Sequence, residues 1–128
     1  MSKLKLLSIV AIASIAASPV ASIPLKSGDY GAIGSACGDE PNSTIMSFDG
    51  RNFAYPHASQ CADTVTGRSD GVLSISETCQ AAGDGSPTKA STTKFKLRPR
   101  GNDRFDLVNS SNTMTFRRCG NATFFDRH

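Results

Sequence analysis

His57 and Cys61 stand four residues apart, a spacing that can bring an imidazole and a thiolate onto one metal ion. Such a site needs further ligands at matching spacing and a reduced sulfur, and the sequence offers neither, so no metal or other cofactor is expected. Gly67-Arg-Ser-Asp-Gly71 matches the G-x-S-x-G pattern of serine hydrolases. That pattern works on a strand-turn-helix elbow above a parallel sheet, whereas here a second strand-like segment follows, so Ser69 reads as a hairpin-turn residue. A hydrolase or nuclease could draw on Glu77 as base, His57 as acid and Arg117 as anion stabiliser. Glu77 is more simply a polar strand residue paired with a neighbouring base. His128 is the chain terminus. No catalytic residue is assigned, and a non-enzymatic protein is the expectation.

The sulfur atoms say more. Cys37, Cys61, Cys79 and Cys119 all follow an opening segment, Met1 to Ser22, built as a secretory signal. Lys3 and Lys5 are followed by an apolar run from Leu6 to Ala17 and then by Ser18-Pro-Val-Ala-Ser22. The apolar run falls short of the roughly 20 residues that a membrane span needs. The expected division is therefore a signal peptide over 1–22 and a single domain over 23–128, secreted or periplasmic, with no transmembrane segment once the signal is removed. Four cysteines in an exported chain imply two disulfides. Sequential pairing, Cys37 with Cys61 and Cys79 with Cys119, is the favoured connectivity. A Cys61–Cys79 bridge is the rival, because the two face each other if the intervening hairpin turns at Asp70.

Beyond the signal, helical periodicity gives way to short alternating segments separated by turn residues about every ten positions, which predicts an all-β fold. Gly28 to Ile33 is a first strand. Ser43 to Phe48 and Arg51 to Tyr55 flank Asp49-Gly50, a pair suited to a tight turn, and Pro56 closes the second of them. Cys61 to Gly67 and Val72 to Cys79 form the clearest hairpin, with Leu73, Ile75, Glu77 and Cys79 on one face. Gln80 to Ser91 is expected to be a mobile polar loop. Three strands follow, Thr92 to Arg98, Arg104 to Val108 and Thr113 to Cys119, giving about eight short strands in a small antiparallel barrel or sandwich. The aromatic content is 7% with no tryptophan, so the core is small and the disulfides carry a large part of the stability.

Charge is unevenly spread. From Ile23 to Pro87 three basic residues meet eight acidic ones, and from Thr88 to His128 nine basic residues meet three. Lys94, Lys96 and Arg98 alternate outward on one strand, with Arg117 and Arg118 near the chain's end, and together they are a candidate basic binding face for an anionic glycan. A solvated face that guards sheet edges is the plainer reading. Nucleic acid is not an expected partner of an exported chain without aromatic stacking stripes. Asn42-Ser-Thr44, Asn109-Ser-Ser111 and Asn121-Ala-Thr123 fit the glycosylation acceptor pattern, but the short lysine-bearing signal looks bacterial, which makes them polar loop residues.

Two resemblances bear on function. Tyr55-Pro-His57 together with four cysteines resembles small secreted microbial ribonucleases, but those carry a second interior histidine late in the chain, where this one reads Met114-Thr-Phe-Arg-Arg-Cys119. As a whole the chain resembles small exported bacterial β-barrel proteins of the lysozyme-inhibitor kind. The likeness lies in the opening signal, the number of strands and a cysteine near the end of the last strand. Ser27-Gly-Asp-Tyr30 loosely echoes the Ser-Gly inhibitory loop of one such family, without its partner lysine motif. This resemblance implies an extracytoplasmic binding protein that inhibits an envelope-attacking hydrolase such as lysozyme through polar loops.

Overall fold

The computed structural model describes residues 22–34, 36–39 and 41–120. The expected signal peptide, apart from Ser22, lies outside the described residues, as do the Asn121 acceptor site and His128. Eight antiparallel strands make one sheet that curls into a nearly closed barrel: β1 (Gly28–Ala32), β2 (Ile45–Phe48), β3 (Phe53–Ala54), β4 (Ala58–Ser69), β5 (Val72–Ala82), β6 (Pro87–Pro99), β7 (Arg104–Val108) and β8 (Thr113–Gly120). Their spatial order is β3-β2-β1-β8-β7-β6-β5-β4, so the two edges, β3 and β4, follow each other in the chain. None of the described residues forms a helix long and apolar enough to cross a membrane.

The β4–β5 hairpin sets the register. Asp70 and Gly71 both hold positive φ (52° and 77°), as a two-residue type I′ turn requires. Ser69 therefore faces Val72 and Gly67 faces Ser74. A bulge between Val65 and Gly67 then absorbs one residue. Beyond it Val65 faces Ile75, Asp63 faces Glu77 and Cys61 faces Cys79. Without that bulge the same turn would set Cys61 against Gln80 and Asp63 against Thr78, and neither pair could form. The bridges are Cys61–Cys79, with a Cα separation of 3.9 Å, and Cys37–Cys119, at 5.5 Å. This corrects the favoured sequential connectivity: hairpin register decides the first bridge, and the second ties the connection between β1 and β2 to the end of β8. The expected loop over Gln80 to Ser91 is also corrected. β5 runs on to Ala82 and β6 starts at Pro87, which leaves only Gly83–Ser86 as a turn.

Alternation sends Tyr30, Phe48, Phe53, Leu73, Ile75, Leu97, Phe105 and Phe116 into the barrel. Phe105 stacks on Phe116 at 5.1 Å between ring centroids, and Tyr30 and Phe53 lean on Phe105 at 5.2 and 5.7 Å. This aromatic packing fills the end of the barrel where β1 begins. Ile23 and Leu25, ahead of β1, lay their side chains into the same cluster. The strap they sit on is held by Lys26 N–H donating to the Asn102 carbonyl at 2.7 Å, and by Tyr30 Oη donating to the Lys26 carbonyl at 2.7 Å. Burial pushes the Tyr30 hydroxyl up to about 12, so it remains a donor throughout the neutral range. That end is plugged.

The chain-entropy account of cross-links ranks the two bridges. A loop spanning 82 residues of separation restrains the unfolded chain by about 4.5 kcal/mol and one spanning 18 by about 3 kcal/mol. The Cys37→Ser/Cys119→Ser variant is therefore expected to lose more stability in denaturant titration than the Cys61→Ser/Cys79→Ser variant. Peptide mapping without reduction should return these two bridged pairs and no other.

Candidate functional site

The opposite end, where β1, β3, β5 and β7 finish, is hollow. A cavity of about 520 Å³ opens there between the strands. Its wall is apolar: Met46 from β2, Phe95 from β6, Leu107 from β7, and Met114 and Phe116 from β8. The mouth is polar, with the hydroxyls of Ser43, Ser91 and Thr93 and the ring of His57. Met114 is 44% exposed, a large side chain left at the lip and not covered by protein. Cavities of roughly 300–1,000 Å³ lined mainly by apolar groups with a few polar ones are the usual form of small-molecule sites.

One carboxyl group interrupts the apolar wall. Glu77 points inward from β5 and is 5% exposed. Tyr55 Oη donates to its Oε2 at 2.8 Å, and His57 stacks on the Tyr55 ring at 5.3 Å. Behind it, directly across the ladder, stands Asp63. Asp63 Oδ2 accepts the Phe53 N–H at 2.5 Å, while Asp63 N–H donates to Asn52 Oδ1 at 2.9 Å. These two side-chain bonds span the seam between β3 and β4, where no backbone ladder joins the edges. Asp63 Oδ1 is buried and meets no donor among the described residues unless Glu77 carries a proton. Burial, the hydrogen bond with Asp63 and the nearby negative charge of Asp63 together push the Glu77 carboxyl up to about 9. Burial also raises Asp63, against the opposing hydrogen bonds from Glu77 and from the Phe53 amide. At neutral pH the two groups share one proton, held on Glu77, and the Tyr55 hydroxyl stays protonated through burial and the same carboxylates.

Glu77 thus sits where alternation placed it, but its partners are an acid and a phenol; the expected neighbouring base is absent. Of the three residues of the hydrolase scheme, Glu77 and His57 line one cavity, while Arg117 belongs to the outer face of β8 and donates to the Ala32 carbonyl at 3.4 Å. Ser69 is the residue before the Asp70-Gly71 turn. Cys61, Glu77 and Cys79 bring their ligand-type atoms within 4.8 Å of one another, but both sulfurs are consumed in the bridge, so the group offers one carboxyl and no thiolate.

The basic residues divide between surfaces. Lys94, Lys96 and Arg98 share the outer face of β6, with Lys94 opposite Ser76 and Arg98 opposite Asp106. Arg118 follows the other phase of β8 and donates from Nε to the Ser27 carbonyl at 2.8 Å. Asp106, 3% exposed, stands within the basic group. It takes Arg100 at 2.8 Å and Arg98 at 3.8 Å, and accepts from Thr115 at 2.7 Å. Burial opposes its charge, but the Thr115 hydroxyl and the two guanidinium groups hold the carboxyl below its usual range. Part of the positive charge on this face is therefore spent on a buried acid. Reading the sequence alone missed Asp63, Tyr55 as the hydrogen-bond donor to Glu77, and the Met and Phe wall; a register that sets Cys61 opposite Cys79 also sets Asp63 opposite Glu77. No family model, curated protein or solved structure matches the chain.

The shared proton fixes a sign for pH dependence. In the unfolded chain Glu77 loses its proton near 4.5, and in the folded chain it keeps it to about 9. Between these values the folded state binds more protons, so stability falls as pH rises and levels off above the upper limit. Urea unfolding at pH 5, 7 and 9 should show a steady decline, and Glu77→Gln, whose amide can still donate to Asp63 and accept from Tyr55, should flatten it. An unchanged slope in that variant would remove Glu77 as the titrating group.

Proposed function

We propose that this chain is a non-enzymatic binding protein of the extracytoplasmic space, and that its ligand is a small, largely apolar molecule taken up through the open end of the barrel. The observation that carries this reading is the asymmetry of the interior: one end filled by aromatic rings and an N-terminal strap, with a smaller recess beside Ile23, Gly50 and Asp63, the other hollow and apolar but for Glu77 and a polar mouth. Its polar groups satisfy one another. Tyr55 bonds to Glu77, Glu77 to Asp63, and Asp63 to the backbone of β3, an arrangement that suits a rigid wall better than a reacting centre. Export is supported by the two bridges and by the signal-like composition of the first 22 residues.

A protein partner, an envelope-attacking hydrolase such as lysozyme, is the second reading. It is favoured by the exposed stretch Ala36–Asp39, which the Cys37–Cys119 bridge fastens to the end of β8 and so presents in a fixed position. Loops held in advance lose less freedom on binding.

An apolar dye whose emission rises in dry surroundings, such as N-phenyl-1-naphthylamine, is expected to bind the mature protein at one site. Leu107→Trp, which puts a large ring into the hollow, should abolish that signal while leaving the thermal transition in place. Dye binding of equal strength in that variant would place the ligand elsewhere. Micromolar inhibition of lysozyme, lost on changes within Ala36–Asp39 alone, would instead support the protein-partner reading.

A further inference from the structure

The cavity's charge narrows the class of ligand. The chain is basic as a whole, with 14 lysines and arginines against 11 acids, yet among the described residues no lysine or arginine lines the hollow. The acid in its inner wall is Glu77, backed by Asp63, with a further negative field on Asp63 from Asp49. An anionic amphiphile would enter a low-dielectric space with no counter-charge and with a negative pair in its wall. A cation meets the opposite conditions. The carboxyl pair offers it a charge, and the faces of Tyr55, Phe95 and Phe116 offer it the negative side of an aromatic quadrupole.

We propose that the open end of the barrel takes organic ammonium ions with an apolar body, the positive group lying against the Glu77 carboxyl where it enters the cavity wall. The inference rests on the reading of the cavity as the binding site and names its ligand class. In the empty protein the Glu77 proton closes the hydrogen bond to Asp63. When the ammonium group settles against Glu77, that proton leaves to solvent, the carboxylate forms an ion pair with the ligand, and Tyr55 Oη continues to donate to Oε2. The apolar body lies along Met46, Leu107 and Met114, where the two unbranched, flexible methionines adapt to its shape. The groups facing Glu77 are Asp63 across the ladder on β4, Tyr55 from the connection between β3 and β4, Thr93 on β6 and the Cys61–Cys79 bridge beside it. Each is an acid, a hydroxyl or an uncharged disulfide; among the described lining residues only the His57 imidazole, stacked on Tyr55 at the mouth, can carry positive charge.

Calorimetric titration with decylamine, decanol and decanoate, each below its aggregation concentration, tests this. Decylamine should bind at least about tenfold more tightly than decanol, and decanoate more weakly than decanol. Decylamine binding should release protons below pH 9, and its affinity should rise with pH over the range in which Glu77 holds its proton. Glu77→Gln should bring decylamine to within about twofold of decanol while decanol binding persists. Thr93→Lys, a change at an exposed position opposite Glu77, supplies an internal cation and should reduce decylamine affinity about tenfold without altering the fold. Decanoate binding as tightly as decylamine, or a preference for decylamine that survives both substitutions, would overturn the ammonium assignment and leave the cavity as the site. Failure of all three probes, decanol included, would overturn the cavity reading itself.

Discussion

A sheet of eight strands closes into a barrel only if its two edges find each other, and in this molecule the meeting edges are badly matched. β3 has two residues and β4 has twelve. A two-residue strand cannot supply a ladder of backbone bonds, and an open edge would leave polar groups unpaired and invite other chains. Beyond the pair of backbone bonds that Tyr55 and Ala58 exchange, the seam is made by side chains. Asp63 accepts the Phe53 amide while its own amide is taken by Asn52, so one residue of β4 provides both halves of the missing ladder. An ionised carboxylate is the strongest acceptor for such a bond, but in the barrel wall its charge is costly to bury. The protonated Glu77 offsets that cost by donating to the other side of the same carboxyl. The closure of the fold and the Glu77 proton are therefore linked through one side chain, that of Asp63.

Most of the frame follows from local sequence. Asp70-Gly71 specifies its turn through φ, Asp49 specifies another by accepting the amides of Arg51 and Asn52, and the phases of β5, β7 and β8 are readable from alternation. The parts that escape are those in which composition and position disagree. Residues 80–91 are small and polar and look like a loop, yet all but the turn at Gly83–Ser86 extend β5 and β6, because a strand paired with a long neighbour needs no apolar pattern of its own. Asp106 has the outward phase that alternation assigns, and is buried nonetheless beneath Arg98 and Arg100. The connectivity of the sulfurs depends on a single bulged residue, which no propensity announces. Glu77 was visible as an inward-facing acid, but its partner came from the hairpin register and its protonation from burial, both properties of the assembled barrel.

The hollow end follows from the same economy of large side chains. A barrel this size is filled only when each inward position carries a bulky group. Tyr30, Phe48, Phe53 and Phe105 supply these near the start of β1, and Ile23 and Leu25 complete the plug. Toward the other end the inward positions of β6 are Thr93 and Ser91, and the connection into β4 brings Ala58 and the half-exposed ring of Tyr55. Small hydroxyl residues there neither fill the space nor seal it, and Gly83 lets the β5–β6 turn approach Pro56 so closely that a Cβ would strike its carbonyl, which fixes the rim on that side. The Cys61–Cys79 bridge stands in the wall at the same level and ties β4 to β5 there. A space left by poor packing would collapse or be edged by mobile chain. This one is edged by a disulfide, a tight glycine contact and a hydrogen-bonded carboxyl pair, so its walls are held by the same bonds that hold the fold.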